Sequence, residues 1–347
     1  MKQEDIINGF VQLGAIFRQL SANEPWTIEK KISENSYDGF SLAIEREVFH
    51  NGWFEETMIK KSLLGISTWL NLNTLSNWSK QYPFQEKSKT IAVIMASNIP
   101  LVGFHDFLCV LISGNKIQIK LSTEDNRLFK WIRTALIEIN PEFVELIHIP
   151  EGKLSGFDSV IATGGGASVL HFSSYFSHVP HLFRGNRSSI AVLTGKESDA
   201  DMRALGKDIF DYFGRGCRNV SHLLLPKDFE LNRFFEGIVS YSEVINNKKY
   251  GNNYDYNKAI HLMNLVPFLD NNFMLLMENE QLQAPLSMVY FHYYSNEEEV
   301  KNYLEVHKEQ LQCIVGLDYL PFGNTQEPQI KDYADGIDTM QWLSNHL

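Results

Sequence analysis

Between Thr90 and Leu225 short apolar runs alternate with amphipathic stretches, and this alternation limits the fold more than any other feature of the chain. TIAVIMA (Thr90 to Ala96), NKIQIKL (Asn115 to Leu121), VELIHI (Val144 to Ile149) and DSVIAT (Asp158 to Thr163) read as strands. Between them, Pro100 to Ser113, closed by Gly114, reads as a helix, and Thr123 can cap another that runs to about Ile139. Strands separated by helices of this length cannot pair as hairpins. They must lie parallel under covering helices, with right-handed crossovers. GGG (Gly164 to Gly166) then leads into an apolar helix, ASVLHFSSYF.

The rhythm resumes at Ser189. SIAVLT is a strand, and Ser198 can cap a helix with a stripe of Met202, Leu205, Ile209, Phe210 and Phe213. GRGC (Gly214 to Cys217) precedes the strand SHLLLP (Ser221 to Pro226). LSMVYFHYY, a helix from about Asn296 to Gln310, and QCIVGL form a further strand–helix–strand unit. The first 85 residues read as helical, with Ile6, Phe10, Leu13 and Phe17 on one face, and the polar SKQYPFQEKSK (Ser79 to Lys89) as a connector. The expected organisation is α/β, with two parallel-sheet domains and a helical N-terminal region. Residues 1–85 are the helical region, and 86–187 a nucleotide-binding α/β domain completed by it. Residues 188–321 are a second α/β domain carrying Cys217, and 322–347 a C-terminal return.

Composition excludes several partners. With 31 Lys and Arg against 42 Asp and Glu the net charge is −11, unsuited to wrapping nucleic acid. The longest apolar run, Ile99 to Ile112, is interrupted by His105 and Asp106 and is too short to span a bilayer. MKQEDIINGF lacks the apolar core of a secretory signal. Three cysteines are an odd number in a chain too long to need stapling, which points to a reducing cytoplasm.

Of the three, Cys109 lies inside the helical FLCVLI and Cys313 opens an apolar strand, so both read as small buried hydrophobes. Cys217 lies in GRGCRNVSHLLL, between a helix end and a strand start. Gly214 and Gly216 clear side chains from the backbone around it, and Arg215 and Arg218 bring positive charge that favours thiolate. Such a thiol is either an exposed, idle cysteine or a nucleophile presented by a loop.

CRNVSHLLL (Cys217 to Leu225) resembles the nucleophile segment of the aldehyde dehydrogenase superfamily, with Arg215 where Gln is usual. IAVIMASNIP (Ile91 to Pro100) is similar to the superfamily strand that ends in an Asn two residues before Pro. NKIQIKLS (Asn115 to Ser122) is similar to the strand whose Lys reaches the cofactor's adenosine ribose. ATGGGASV (Ala162 to Val169) is similar to the Gly-rich turn beside the cofactor. LFRGNRSSIAVL (Leu182 to Leu193) stands where Glu-Leu-Gly-Gly-Lys is usual, so Phe183 falls at the position of the water-activating Glu. The ending PFGNTQEPQIKDYADGIDTM resembles the acyl-CoA reductase family (LuxC-type), which includes long-chain acyl-protein thioester reductases.

The resemblance implies an aldehyde-dehydrogenase-like fold and reduction of a fatty acyl thioester, from acyl-CoA or an acyl-carrier protein, to aldehyde. The thioester acylates Cys217, Asn98 and the Cys217 amide stabilise the oxyanion, and reduced nicotinamide delivers hydride. Phenylalanine takes no proton, so hydrolysis of the acyl-cysteine lacks its base. Lys120 and Ser122, Thr163, Gly164 and Gly165, and Glu280 are the implied cofactor contacts, with Gln281 as the alternative to Glu280 in the register. The charge of Lys120 suits a 2′-phosphate, which points to NADPH and leaves NADH open. Members commonly self-associate, so a homo-oligomer is among the implications, although no hairpin is evident between Ser79 and Thr90. Two other readings stand beside this one. Arg184 and Arg187 are compatible with an acyl-phosphate reductase. Arg215 and the missing Glu are compatible with a catalytically silent, cofactor-binding subunit of an acyl-processing complex.

Other signals are weaker. GGGASV has Val169 where a third dinucleotide-fingerprint Gly belongs. His171, His178 and His181 have no Cys or carboxylate at ligand spacing, so no metal is expected. DYADGID lacks the 12-residue calcium pattern and reads as a loop capping the C-terminal helix.

Overall fold

The computed structural model describes residues 1–27 and 31–346 and divides into two compact units, 1–185 with 329–347, and 186–328. Unit 1 begins with α1 (Gln3–Ser21), α2 (Glu34–Arg46), α3 (Glu56–Trp69) and α4 (Leu72–Ser79). The apolar face of α1 is buried, and the Phe10 ring meets Phe104, Phe107 and Phe143 edge-on at 5.9–6.2 Å. Ser33 and Asn71 cap α2 and α4 by accepting the Ser36 and Thr74 amides.

Next come β1 (Thr90–Ile94), α5 (Phe104–Ile112), β2 (Lys116–Lys120), α6 (Arg127–Ile139), β3 (Ile147–His148), β4 (Ser159–Thr163), α7 (Gly166–Phe176) and β5 (His181–Arg184). The five strands form one parallel sheet in the order β3-β2-β1-β4-β5. Central β1 is buried on both faces at Ile91, Ala92 and Val93, as covering helices require. In β2 Ile117 and Ile119 point inward between exposed Lys116 and Lys120. Burying each isoleucine stabilises the sheet by about 1.5–3 kcal/mol.

Two local expectations change. Thr123 does not cap α6; Asn126 stands at the N-cap and the helix starts at Arg127. The preceding turn is held by Asp125, whose carboxyl accepts the Leu101 amide at 3.1 Å. VELIHI is a strand only at Ile147–His148, because Pro141–Glu145 forms a 3-10 turn that buries Phe143.

Unit 2 contains β6 (Ser188–Val192), α8 (Asp199–Phe210), β7 (Val220–Pro226), α9 (Leu231–Ile238), α10 (Lys248–Met263), β8 (Leu269–Asp270), β9 (Leu275–Glu278), β10 (Met288–Tyr294), α11 (Glu297–His307) and β11 (Leu311–Val315). The sheet order is β11-β6-β7-β10-β9-β8, with every pair parallel except β8 against β9. Ser198 and Asp201 form a reciprocal capping box on α8. Phe213 does not continue the α8 stripe. The helix stops at Phe210, and Tyr212, Phe213 and Gly214 take φ of 52°, 60° and 74°.

The last segment belongs to unit 1 and ends in α12 (Thr339–His346). As expected of the DYADGID loop, Asp338 accepts the Gln341 amide at 2.9 Å in the first turn of that helix. The segment is fixed by buried polar contacts. Arg184, 2% exposed, pairs with Asp106 at 2.8 Å and donates to Thr339 Oγ1 and the Ala334 carbonyl. Trp78 Nε1 donates to Tyr333 Oη, and Tyr82 Oη donates to Asp338, at 2.8 and 2.7 Å. Among the described residues no helix is long and apolar enough to cross a membrane, and no group of three or more His, Cys, Asp or Glu is placed to hold a metal.

Candidate active site

Ligands of open parallel sheets bind beyond the carboxyl ends of the strands, and in unit 1 that edge collects six of the singled-out residues. Asn98 follows β1, Lys120 closes β2 with Ser122 two residues on, and Thr163, Gly164 and Gly165 join β4 to α7. Since β2, β1 and β4 are adjacent, these segments are neighbours. Ser97 Oγ donates to Ser122 Oγ at 2.8 Å, tying the β1 and β2 loops together. Exposed Lys120 donates to the Gly152 carbonyl at 3.1 Å. At Gly164 a Cβ would lie 2.7 Å from Ser168 Cβ and 3.0 Å from Phe172 Cε2, so only glycine lets β4 turn this closely onto α7.

Asp125 is buried in the segment that joins β2 to α6. Burial drives its carboxyl up to about 7, the Leu101 amide opposes the shift, and Glu47 adds to it. Leu101 has φ of 58°, so Asp125 holds a left-handed residue in the loop that carries Asn98.

Cys217 lies in unit 2 at the amino end of β7, on a tight turn closed by the Asn219 amide donating to the Gly216 carbonyl at 3.0 Å. The residue is partly exposed, unlike Cys109 and Cys313. Its carbonyl accepts from Ser189 Oγ at 2.9 Å, and that oxygen also accepts the Cys313 amide at 3.1 Å, so β6, β11 and the turn share one hydroxyl. Buried Asn219 receives the Gly216 N–H on Oδ1 at 2.8 Å and donates from Nδ2 to the carbonyls of Asp208, Ile209 and Asp211. Arg218 Nε donates to the Thr325 carbonyl, and Asp208 accepts from the Gly323 and Thr325 amides and Thr325 Oγ1.

The loop after β9 folds back over the sheet. Ser221 Oγ donates to the Leu282 carbonyl at 3.4 Å, and His222 Nδ1 lies 2.8 Å from the Gln281 carbonyl. A carbonyl only accepts, so His222 carries its proton on Nδ1. Its bare Nε2 then accepts from His292 Nδ1 at 2.7 Å. Burial depresses the His222 imidazole to about 4. The Glu280 side chain is exposed, and its carbonyl accepts from Tyr303 Oη at 3.4 Å. The loop thus brings the backbone of Gln281 and Leu282 to the start of β7, a few residues from Cys217.

Cys109 is fully buried. Its thiol lies 3.8 Å from His105 Nδ1, and burial pushes it well above the usual thiol range. Such a sulfur is a packing group. Arg184, entertained as a ligand for a substrate phosphate, is instead consumed by its internal partners, which removes that support for an acyl-phosphate reductase. Arg187 donates to the Leu311 carbonyl at 3.0 Å. Phe183 stacks on His181 at 4.2 Å and tilts against Phe172 at 6.0 Å. The sequence reading missed Asn219 and Asp125. An Asn two residues beyond a Gly-Cys pair is a recognisable turn signal, whereas the place of Asp125 depends on a loop 24 residues away.

No family model and no curated protein sequence matches the chain. Solved structures do. An indole-3-acetaldehyde dehydrogenase of P. syringae, in complex with NAD+ and IAA, superposes with a TM-score of 0.62 at 12% identity, over 91% of this chain and 72% of that one. Aldehyde dehydrogenase 21 of Physcomitrella patens, in complex with succinate, gives 0.60 at 12% identity, over 92% and 79%. An NAD-dependent aldehyde dehydrogenase of Sinorhizobium meliloti gives 0.63 at 10% identity, over 91% and 70%. With parallel sheets in both units, a Gly-rich strand-to-helix turn in the first and a cysteine turn before a central strand in the second, the chain has the aldehyde dehydrogenase fold.

Proposed function

We propose that the protein is a nicotinamide-dependent oxidoreductase of aldehyde dehydrogenase type that works in the reductive direction, converting a fatty acyl thioester to aldehyde through Cys217. The observation that carries the reading is the partly exposed Cys217 on its hydrogen-bonded turn at the start of β7. The neighbours of like fold include NAD-bound aldehyde dehydrogenases.

The residues of unit 1 fit a dinucleotide. The N-cap of α7 makes no side-chain capping bond, the first N–H groups of a helix suit a pyrophosphate, and a Cβ on Gly166 at its first position would meet nothing within 4 Å. Lys120, Ser122, Thr163, Gly164 and Gly165 would hold the cofactor there, and Glu280 or Gln281 is assigned to it on resemblance. Lys120 favours the 2′-phosphate of NADPH over NADH. Bound reduced nicotinamide supplies a hydride.

The chain's own work is acyl transfer. The Cys217 thiolate adds to the thioester carbonyl, the carrier thiolate leaves and takes a proton, and an acyl-cysteine remains. Two-electron reduction of that carbonyl gives a hemithioacetal, whose C–S bond breaks to release aldehyde and restore the thiolate. Asn98 is assigned to the oxyanion, a contact of a kind worth about 2.7–4 kcal/mol. Phe183 cannot activate water, which leaves the acyl group for hydride. The protein is placed in the cytoplasm because its thiols need a reducing compartment, and self-association is part of the same reading.

The test is incubation with fatty acyl-CoA of graded chain length and NADPH, followed by nicotinamide absorbance. Oxidation that disappears in Cys217→Ala and persists in Cys109→Ala supports the proposal. Oxidation with acyl phosphates alone, or with none of these substrates, refutes it.

A further inference from the structure

The Cys217 turn does not hold itself. A four-residue turn on a loop would sample many positions, yet this one follows three consecutive left-handed residues, Tyr212, Phe213 and Gly214. Glycine accepts that conformation freely, but the two aromatic residues do so at a cost of about 1–2 kcal/mol each. Something must over-determine the segment, and the end of α8 must also find donors for its last carbonyls.

One side chain does both. We propose that Asn219 is the positioning residue of the Cys217 nucleophile; the proposal rests on the assignment of Cys217 given above. Asn219 is 3% exposed. Its Nδ2 donates to the carbonyls of Asp208, Ile209 and Asp211 at 3.1, 3.3 and 2.8 Å, closing the end of α8 and pinning the entry to the left-handed segment. Its Oδ1 takes the Gly216 amide at 2.8 Å, and its own amide closes the turn on the Gly216 carbonyl. Gly216, the residue before Cys217, is therefore fastened to one planar amide, which is fastened to a helix end, while the backbone of the same Asn219 closes the turn beyond Cys217. The mate of this clamp is Asp208, which holds Gly323 and Thr325 while Thr325 receives Arg218, the other residue at the tip of the turn.

No other small side chain fills these roles. Aspartate keeps the acceptor for Gly216 but turns a carboxylate oxygen towards three carbonyls. Alanine removes donor and acceptor together. Displacing a reacting atom by about 1 Å costs on the order of 100-fold in rate, so Asn219→Ala is expected to slow acyl transfer to Cys217 by about 100-fold, with NADPH affinity unchanged.

The experiment is quenched-flow acylation by decanoyl-CoA without NADPH, read by intact-protein mass spectrometry on wild type, Asn219→Ala, Asn219→Asp and Cys217→Ala. A first-order rate constant is independent of how much protein is folded, whereas lost fold lowers only the amplitude. A slowed rate constant in Asn219→Ala supports the proposal, and so does one in Asn219→Asp where the alanine variant does not fold. A wild-type rate constant in Asn219→Ala, at any amplitude, overturns it while the Cys217 reading stands. If neither variant folds, amide exchange of Gly216 in the wild type decides: protection supports the clamp, and exchange as fast as an open loop overturns it. Unchanged labelling and turnover in Cys217→Ala removes the nucleophile itself, and the positioning role falls with it.

Discussion

Replacing Asp125 by Asn should change how stability depends on pH. Asp125 is 2% exposed, and its carboxyl titrates at about 7 in the folded chain against 3.8 unfolded. Between those values the folded state binds a proton that the unfolded state has lost, so stability is full below about 4 and falls as pH rises to about 7. The whole shift corresponds to about 4 kcal/mol, of which about 2–3 kcal/mol is lost between pH 5 and pH 8. Asparagine keeps an oxygen for the Leu101 amide and carries no charge at any pH. Any constant cost of the exchange cancels when the two pH values are compared. Urea unfolding followed by tryptophan fluorescence is a suitable assay, because all six tryptophans lie in the unit that contains Asp125. Wild type should lose about 2–3 kcal/mol more than Asp125→Asn between pH 5 and pH 8. Parallel profiles would refute a neutral, buried Asp125.

Arg184→Met strands Asp106 in the core and is expected to destabilise unit 1 by about 3–5 kcal/mol, while Arg184→Met with Asp106→Leu recovers most of the loss in the same assay. A single variant as stable as wild type would contradict the buried pair. Below about pH 6.5 the unfolded chain protonates the residue that the fold keeps neutral at His222, so unit 2 should lose up to about 3 kcal/mol as pH falls to 4. Pulse proteolysis of β7 peptides reads this, and His222→Gln should flatten it; an unchanged slope would mean that His222 does not govern it.

The parts of the fold that could be read from the chain are those whose information is local. β1 is apolar throughout, β2 alternates, Ser198 stands three residues before the aspartate that completes its cap, and Asn296 stands before three glutamates that suit the dipole of α11. The turn that carries Cys217 was legible because two glycines and a helix-to-strand junction announce it. What failed depended on distant partners. Arg184 finds Asp106 and Thr339 across separations of 78 and 155 residues, so a surface arginine and a core arginine look alike in sequence. Thr123 has the right chemistry for a cap and was displaced by the tertiary hold of Asp125 on Leu101. The left-handed run at Tyr212 and Phe213 was invisible, since aromatic residues at helical spacing signal a continuing stripe and the Asn219 amide that takes the last carbonyls of the helix comes from beyond it.

The most direct measurement omits the reductant. Incubated with decanoyl-CoA alone, the protein should gain the mass of one acyl group, mapped to Cys217, which persists in water and leaves as decanal when NADPH is added. Release of decanoic acid before any NADPH is present, or decanal formed with Cys217 unmodified, would contradict it.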